Sequence, residues 1–322
     1  MTYSQGSQIL ASDFNSFYGP TANGGTAGQN LGDIWGTGSG DKGWGQPLIT
    51  NPAIGGLVTA AQWAALVANT ATAGQQVNYT TTTRSPAPTF GTVITAFSSF
   101  TTDLTTITNS RGNAQAIGSQ VTSGGSSAPI AESTNSSGWN MTFTQTLNLG
   151  TAAQARYFWN AGGIAQITMS KTGTSTDKDP DWNALVGTVG TISFVGRVNG
   201  AAQTIAGPTY SGTSRSGGSG TPTIASTTGW YSLTPGAAAT QIYIIYDAVS
   251  PYTGDYIQVT AAVNSGSTAI TFTTVWHDAG YSGPGKNNAV SAGGAVALSY
   301  FPPSTTYLSN TWGTPTLSSS VA

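Results

Sequence analysis

The sequence predicts an α+β protein: a small helical amino-terminal module, then a predominantly antiparallel β-sandwich-like domain with short helical insertions. Three observations carry that expectation. Helix-start signals and apolar residues at spacings of three and four occupy the first third. At Trp139 the apolar period switches to two. The 322 residues also include 43 glycines, no cysteine and only 6% charged side chains, where a soluble domain ordinarily carries about a quarter.

In the first third, Ser12 reads as the N-cap of a helix over residues 13–18, with Phe14 and Phe17 on one side. Residues 36–46, GTGSGDKGWGQ, read as loop. Thr59 and Gln62 then form a capping box, and Val58 with Trp63 can close a hydrophobic staple. Trp63, Leu66 and Val67 share one face of that helix. Pro86 and Pro88 break the chain before a third helix over residues 92–107, striped by Val93, Ile94, Phe97, Phe100, Leu104 and Ile107. Its threonines lower the intrinsic propensity, so packing must hold it. Residues 1–117 therefore read as a helical, loop-rich docking module, and the Gly/Ser-rich residues 118–137 as a linker or extended arm.

Residues 138–300 read as the β-rich domain. Trp139, Met141, Phe143, Leu147 and Leu149 alternate with polar residues, which marks a half-buried strand. Further strands are expected over residues 164–170, 191–198, 241–247, 256–263 and 268–276, the last two joined by a tight turn at residues 263–268. Thr151 and Gln154 make a second capping box, opening a helix that Gly162 and Gly163 end. Asp179, Pro180 and Asp181 signal another helix start, with Asp179 as cap. Residues 206–228 read as a long surface loop, and residues 301–322 as an extended or mobile tail.

Composition narrows the functional classes. Nine basic residues are scattered singly and the formal net charge is −2, so the clustered cations that nucleic-acid binding requires are missing. Thiolate metal sites and disulfides are excluded without cysteine. MTYSQGSQIL lacks the basic and apolar regions of a secretory signal. No window approaches the roughly 18 apolar residues of a membrane span. A surface-type composition without an export signal suggests release by lysis.

Catalytic chemistry finds little support. His277 is the sole histidine, and no nucleophile-elbow motif accompanies it. Asp177, Asp179 and Asp181 mimic calcium-loop spacing but lack the central glycine and distal glutamate. Asp247 and Asp255 lie on neighbouring expected strands and are the best carboxylate pair for glycan hydrolysis, although turn roles explain them as well. No enzyme, cofactor or metal site is expected. The dense aromatics of the last third, among them Trp230, Tyr231, Tyr252, Tyr256, Trp276 and Tyr281, are candidates for a subunit interface or a sugar-stacking surface, or else for sandwich core.

Several motifs agree in order with one family. Residues 155–167, ARYFWNAGGIAQI, with Trp182-Asn183-Ala184-Leu185, the 189–194 run VGTISF, Gly229-Trp230-Tyr231 and the 255–259 run DYIQV, resemble blocks in virion structural proteins of tailed bacteriophages, cyanophage-like ones especially. The glycine-aromatic-glycine-Gln loop at residues 43–46 and the Thr-Ala-Ala-Gln-Trp helix start extend the likeness. Trp159, where a second Phe is more usual, and the neutral Ile164-Ala165-Gln166 depart from the pattern. The resemblance implies a tail-fibre or baseplate-associated structural protein located in the virion. Its partners would be copies of itself in a trimer or other closed ring, other tail or baseplate proteins and a host-surface glycan, with no membrane insertion. A capsid decoration or head-fibre protein and a free carbohydrate-binding adhesin are the alternatives.

Overall fold

The computed structural model describes residues 10–53, 55–84, 97–122, 126–128, 138–174, 176–281, 290–291 and 293–322. It is α+β, with most helical residues amino-terminal and two six-stranded antiparallel sheets beyond them.

The first helix, α1 (Ala11–Tyr18), begins at an extended Leu10 without a side-chain cap; Ser12 sits inside its first turn. The short α2 (Gly32–Trp35) follows. α3 (Ala60–Gln76) starts at the expected Thr59–Gln62 box, both reciprocal hydrogen bonds being formed. α4 (Phe97–Asn109) covers the later part of the third expected helix and runs two residues further, while residues 92–96 and the two prolines lie outside the described residues. Phe100 of α4 meets Phe17 of α1 and Trp63 of α3, each at 5.5 Å between ring centres. The threonine-rich helix is held by that apolar contact, as its weak propensity requires.

Residues 118–137 are partly strand. β1 (Val121–Thr122) and β2 (Ser126–Ala128) both pair with a strand near the carboxyl end. β3 (Trp139–Asn148) alternates as expected, with one addition: Gln145 occupies a fully buried inward position. α5 (Ala152–Asn160) opens at the Thr151–Gln154 box. β4 (Ile164–Lys171), α6 (Asp179–Val189) and β5 (Thr191–Val195) follow, and Val198 falls in a separate 3-10 turn. At the start of α6 Lys178 is the cap position, and Asp179 makes no cap.

The expected long loop at 206–228 contains short strands. β6 (Gln203–Thr204) pairs with β7 (Thr209–Tyr210), β8 (Thr213–Ser216) pairs with β5, and β9 (Thr223–Ile224) pairs with the next strand. Their two to four residues are too short for a periodic signal. β10 (Thr240–Tyr246), β11 (Tyr256–Val263) and β12 (Ala269–Asp278) form a meander. At the β11–β12 turn, the Asn264 side chain accepts from the backbone N–H groups of Thr268 and Ala269. β13 (Gly294–Phe301) and β14 (Thr316–Val321) complete the chain.

One sheet runs β1-β13-β4-β5-β8 with β2 also on β13; the other runs β14-β3-β12-β11-β10-β9. Phe194 of β5 meets Phe272 of β12 edge-on at 5.4 Å, so the sheets pack face to face. The carboxyl-terminal segment is extended but anchored: β14 lies along β3, and Leu308 and Trp312 are buried. Gln46 grips it, its Oε1 accepting from Ser309 N–H at 2.9 Å and its Nε2 donating to Ser309 O at 3.0 Å.

Candidate functional site

The six nominated aromatics separate into core and surface. Trp276 points inward from β12 with no exposure. It stacks on Trp182 of α6 at 5.7 Å and tilts against Phe143 at 5.2 Å. Trp230 is buried in a 3-10 turn and stacks on Trp159 at 5.6 Å. Tyr252 is buried beneath Lys178, whose Nζ lies 4.7 Å from the ring centre, and meets the half-buried Tyr281 edge-on. Trp230, Tyr252 and Trp276 are therefore core residues, which corrects their nomination as a contact surface. The inserted helices α5 and α6 bring Trp159 over Trp230 and Trp182 over Trp276, a tertiary placement that strand periodicity does not carry. Tyr231 is partly buried, and its hydroxyl donates to Asn160 Oδ1 at 2.7 Å. Burial, and then the Asp41 charge, push that hydroxyl far above the ordinary tyrosine range.

Tyr256 faces outward. Strand register aligns Tyr246, Tyr256, His277 and Asn140 in one row across β10, β11, β12 and β3. Tyr256 and His277 lie nearly parallel at 4.5 Å, and His277 Nδ1 is 2.6 Å from Asn140 Oδ1. Tyr246, 55% exposed, closes the row 5.5 Å from Tyr256.

The rest of this outer face carries no formal charge. Thr142, Thr144 and Thr146 on β3 lie beside Val275, Thr273 and Thr271 on β12, and these beside Gln258, Thr260 and Ala262 on β11. In all six strands of the sheet Asp278 is the sole Asp, Glu, Lys or Arg, and it points inward. Outward positions of an antiparallel sheet are ordinarily polar and rich in charge, because that face meets water. A neutral hydroxyl and amide face is suited to burial against another surface, since no ion need be desolvated.

The family-like block at residues 155–167 makes the joint between module and sandwich. Phe158 and Trp159 are fully buried. The Asn160 amide donates to Gly43 O at 3.0 Å, Asn160 O accepts from Trp44 Nε1 at 3.1 Å, and Asn160 Oδ1 takes the Tyr231 hydroxyl. Gly162 has φ +95°, and a Cβ on Gly163 would lie 2.3 Å from the Phe158 ring. Ala161 is fully buried in the core and its carbonyl accepts from Gln76 Nε2 at 3.2 Å, so each residue of the Phe-Trp-Asn-Ala-Gly-Gly run from 158 to 163 has a packing or backbone task.

The acids are engaged locally. Asp247 Oδ1 accepts from Val249 N–H, and its own N–H donates to Asp255 O. Asp177 is exposed, whereas Asp179 turns inward, so the D-x-D-x-D run does not converge. Asp179 takes Lys171 Nζ at 2.9 Å, both the N–H and hydroxyl of Ser291, and Thr176 N–H. Burial pushes the Asp179 carboxyl up, but these hydrogen bonds outweigh it and hold the group well below its ordinary 3.8. A depressed carboxyl stabilises the fold fully above the unfolded value and loses that contribution as pH falls toward the folded one. We expect the stability gap between the native chain and Asp179→Asn, measured by urea midpoint, to be constant near neutrality and to shrink below about pH 4. A gap independent of pH would show that Asp179 holds no depressed carboxyl.

Among the described residues, no group of three or more His, Cys, Asp or Glu is arranged to hold a metal ion, and no helix is long and apolar enough to cross a membrane. Compared with family models, curated proteins and solved structures, the chain matches none.

Proposed function

We propose that this chain is a non-enzymatic structural component of a tailed-phage virion, a tail-fibre or baseplate-associated protein that acts by self-assembly. The observation that carries this reading is the uncharged outer face of the β14-β3-β12-β11-β10-β9 sheet. Interface cores are depleted of charge in the same way, and the occupant of this face is a second copy of the chain in a closed ring or trimer. Contact with host saccharides would run through the Tyr246–Tyr256–His277–Asn140 row, where the neutral face carries aromatic rings.

The test places charge at the centre of the face. Thr144 and Thr273 oppose one another across β3 and β12. Light scattering of the native chain should give an oligomer, and the double variant Thr144→Lys/Thr273→Lys a folded monomer with an unchanged far-ultraviolet spectrum. A monomeric native chain, or an oligomer indifferent to the two lysines, refutes assembly through this face. Immunogold labelling of particles should mark the tail or baseplate. Label over the head, or on no particle, overturns the tail assignment in favour of a decoration protein or a free adhesin respectively.

A further inference from the structure

Lys178 has no exposure, an unusual position for an ammonium group. Its Nζ is 2.5 Å from Oδ2 of Asp278, at the end of β12, and 3.0 Å from Oδ2 of Asp255, at the start of β11. Asp278 is fully buried and Asp255 nearly so. Their other carboxyl oxygens accept from Gly280 N–H at 2.7 Å and Ala279 N–H at 2.8 Å, which fixes both groups toward the amine. Tyr252 covers the amine from one side. One turn along α6, Trp182 stacks on Trp276 and tilts against Trp139, the strand partner of Asp278. The side chains of Lys178, Asp255 and Asp278 are buried together, and the cluster holds one more acid than base. Asp255 Oδ2 is buried and out of hydrogen-bond alignment with the lysine. Burial, and with it the neighbouring Asp278 charge, raises the Asp255 carboxyl above its ordinary value, which suits it to give up and take back a proton.

A second buried pair in the same chain shows what an ordinary ion pair looks like here. Lys171 and Asp179 have fully buried side chains 2.9 Å apart, and among the described residues no second acid pairs with that lysine. Both Asp179 oxygens are saturated by Ser291 and Thr176 as well as the lysine.

We propose that Lys178 and Asp278 condense into an intramolecular amide cross-link, with Asp255 as the acid that carries the proton. Lys178 passes a proton to carboxylate oxygen and attacks Asp278 Cγ as the neutral amine. The new C–N bond forms, one Cγ–O bond breaks, and Asp255 protonates the departing oxygen. Asp255 then regains its proton from the nitrogen. One ammonium and one carboxylate become one amide and one water, with no other reactant. Fixed juxtaposition replaces activation, since well-oriented intramolecular pairs reach effective concentrations of about 10⁵–10⁸ M. Burial keeps bulk water from the product and so opposes its hydrolysis. The linkage joins the start of α6 to the end of β12, positions 100 residues apart, across the sandwich.

Intact mass of the purified full-length chain under denaturing conditions tests this. The expected value is one water below the sequence mass, and a digest should contain a branched peptide joining Lys178 to Asp278. Lys171 should remain unmodified, so a loss of one water, rather than two, is part of the expectation. Asp278→Ala and Lys178→Arg should return the mass to the value computed from their own sequences. Asp255→Asn retains both reactants and should leave most of the chain unlinked. A native chain at full sequence mass, with Lys178 in a linear peptide, overturns the proposal without recourse to any variant. A branch at Asp255 overturns the assignment of roles.

Discussion

Trp159→Ala is expected to lower the unfolding free energy by about 3–5 kcal/mol, the cost of a large aromatic cavity in a packed core. Trp159 is completely buried and touches three rings: Phe158 at 4.9 Å, Phe194 at 5.8 Å and Trp230 at 5.6 Å. Those neighbours come from α5 itself, from the β5 strand and from the 3-10 turn after β9, so the cavity has rigid walls and cannot collapse cheaply. The next residue, Asn160, holds the loop at Gly43 and Trp44. Loosening Trp159 therefore also loosens the joint between the helical module and the sandwich. Trp159→Phe supplies the contrast. The indole Nε1 has no hydrogen-bond partner among the described residues, so phenylalanine gives up no polar contact seen there and keeps most of the ring packing. Its cost should be roughly half that of alanine or less. Urea unfolding followed by far-ultraviolet circular dichroism measures both. Equal costs for the two variants would mean that ring stacking at this position contributes nothing.

The parts of this fold that were legible in the sequence are those with a local cause. Thr59 with Gln62 and Thr151 with Gln154 each form both hydrogen bonds of a capping box within four residues. β3, β11 and β12 show the period of two directly in their burial. Elements that depend on distant partners were not legible. Val121–Thr122 and Ser126–Ala128 are strands because β13 offers them an edge. Thr316–Val321, a run with little apolar pattern, is a strand because β3 lies beside it. Asp179 has every local mark of a cap, yet Lys171 and Ser291 take its carboxylate.

The same limit applies to the functional residues. Low charge was plain from composition, but composition cannot say where the few charges go. Among the described residues Asp103, Arg111, Lys178, Asp179, Asp247, Asp255 and Asp278 are buried. The ionic groups serve the interior while a whole sheet face stays neutral. Lys178 and Asp278 stand 100 residues apart, and no spacing rule links them. Of the readings that the aromatic density left open, burial selects the core for Trp230, Tyr252 and Trp276 and excludes contact surface. The outward row needed the register that aligns Tyr246 and His277 with Tyr256.

Asp103→Ala is expected to unfold or severely loosen the helical module, at a cost of about 3–5 kcal/mol for stranding the partners of a buried ion pair. The Asp103 side chain has no exposure, and that of Arg84 is 5% exposed. Arg84 Nη2 lies 2.5 Å from Asp103 Oδ2, and its guanidinium carbon sits 3.9 Å above the centre of the Phe100 ring. The same carboxylate accepts from the Tyr79 hydroxyl at 2.8 Å and from Thr82 N–H at 3.0 Å. Removing it takes the partner from a buried cation and the acceptor from the half-buried Tyr79 hydroxyl and the exposed Thr82 N–H, so the stranded charge carries most of the cost. The segment after α3 would then lose its main tie to α4, while Phe17, Trp63 and Phe100 keep their apolar contacts. Replacing both ends of the pair separates charge burial from shape. Arg84→Met with Asp103→Leu removes the stranded ion and should recover a large part of the loss, because buried pairs are often matched by apolar residues of similar volume. A double-mutant cycle on thermal unfolding gives the coupling directly. Additive single costs would show that Arg84 and Asp103 are neighbours without being partners, and that aromatic packing alone holds α4 in place.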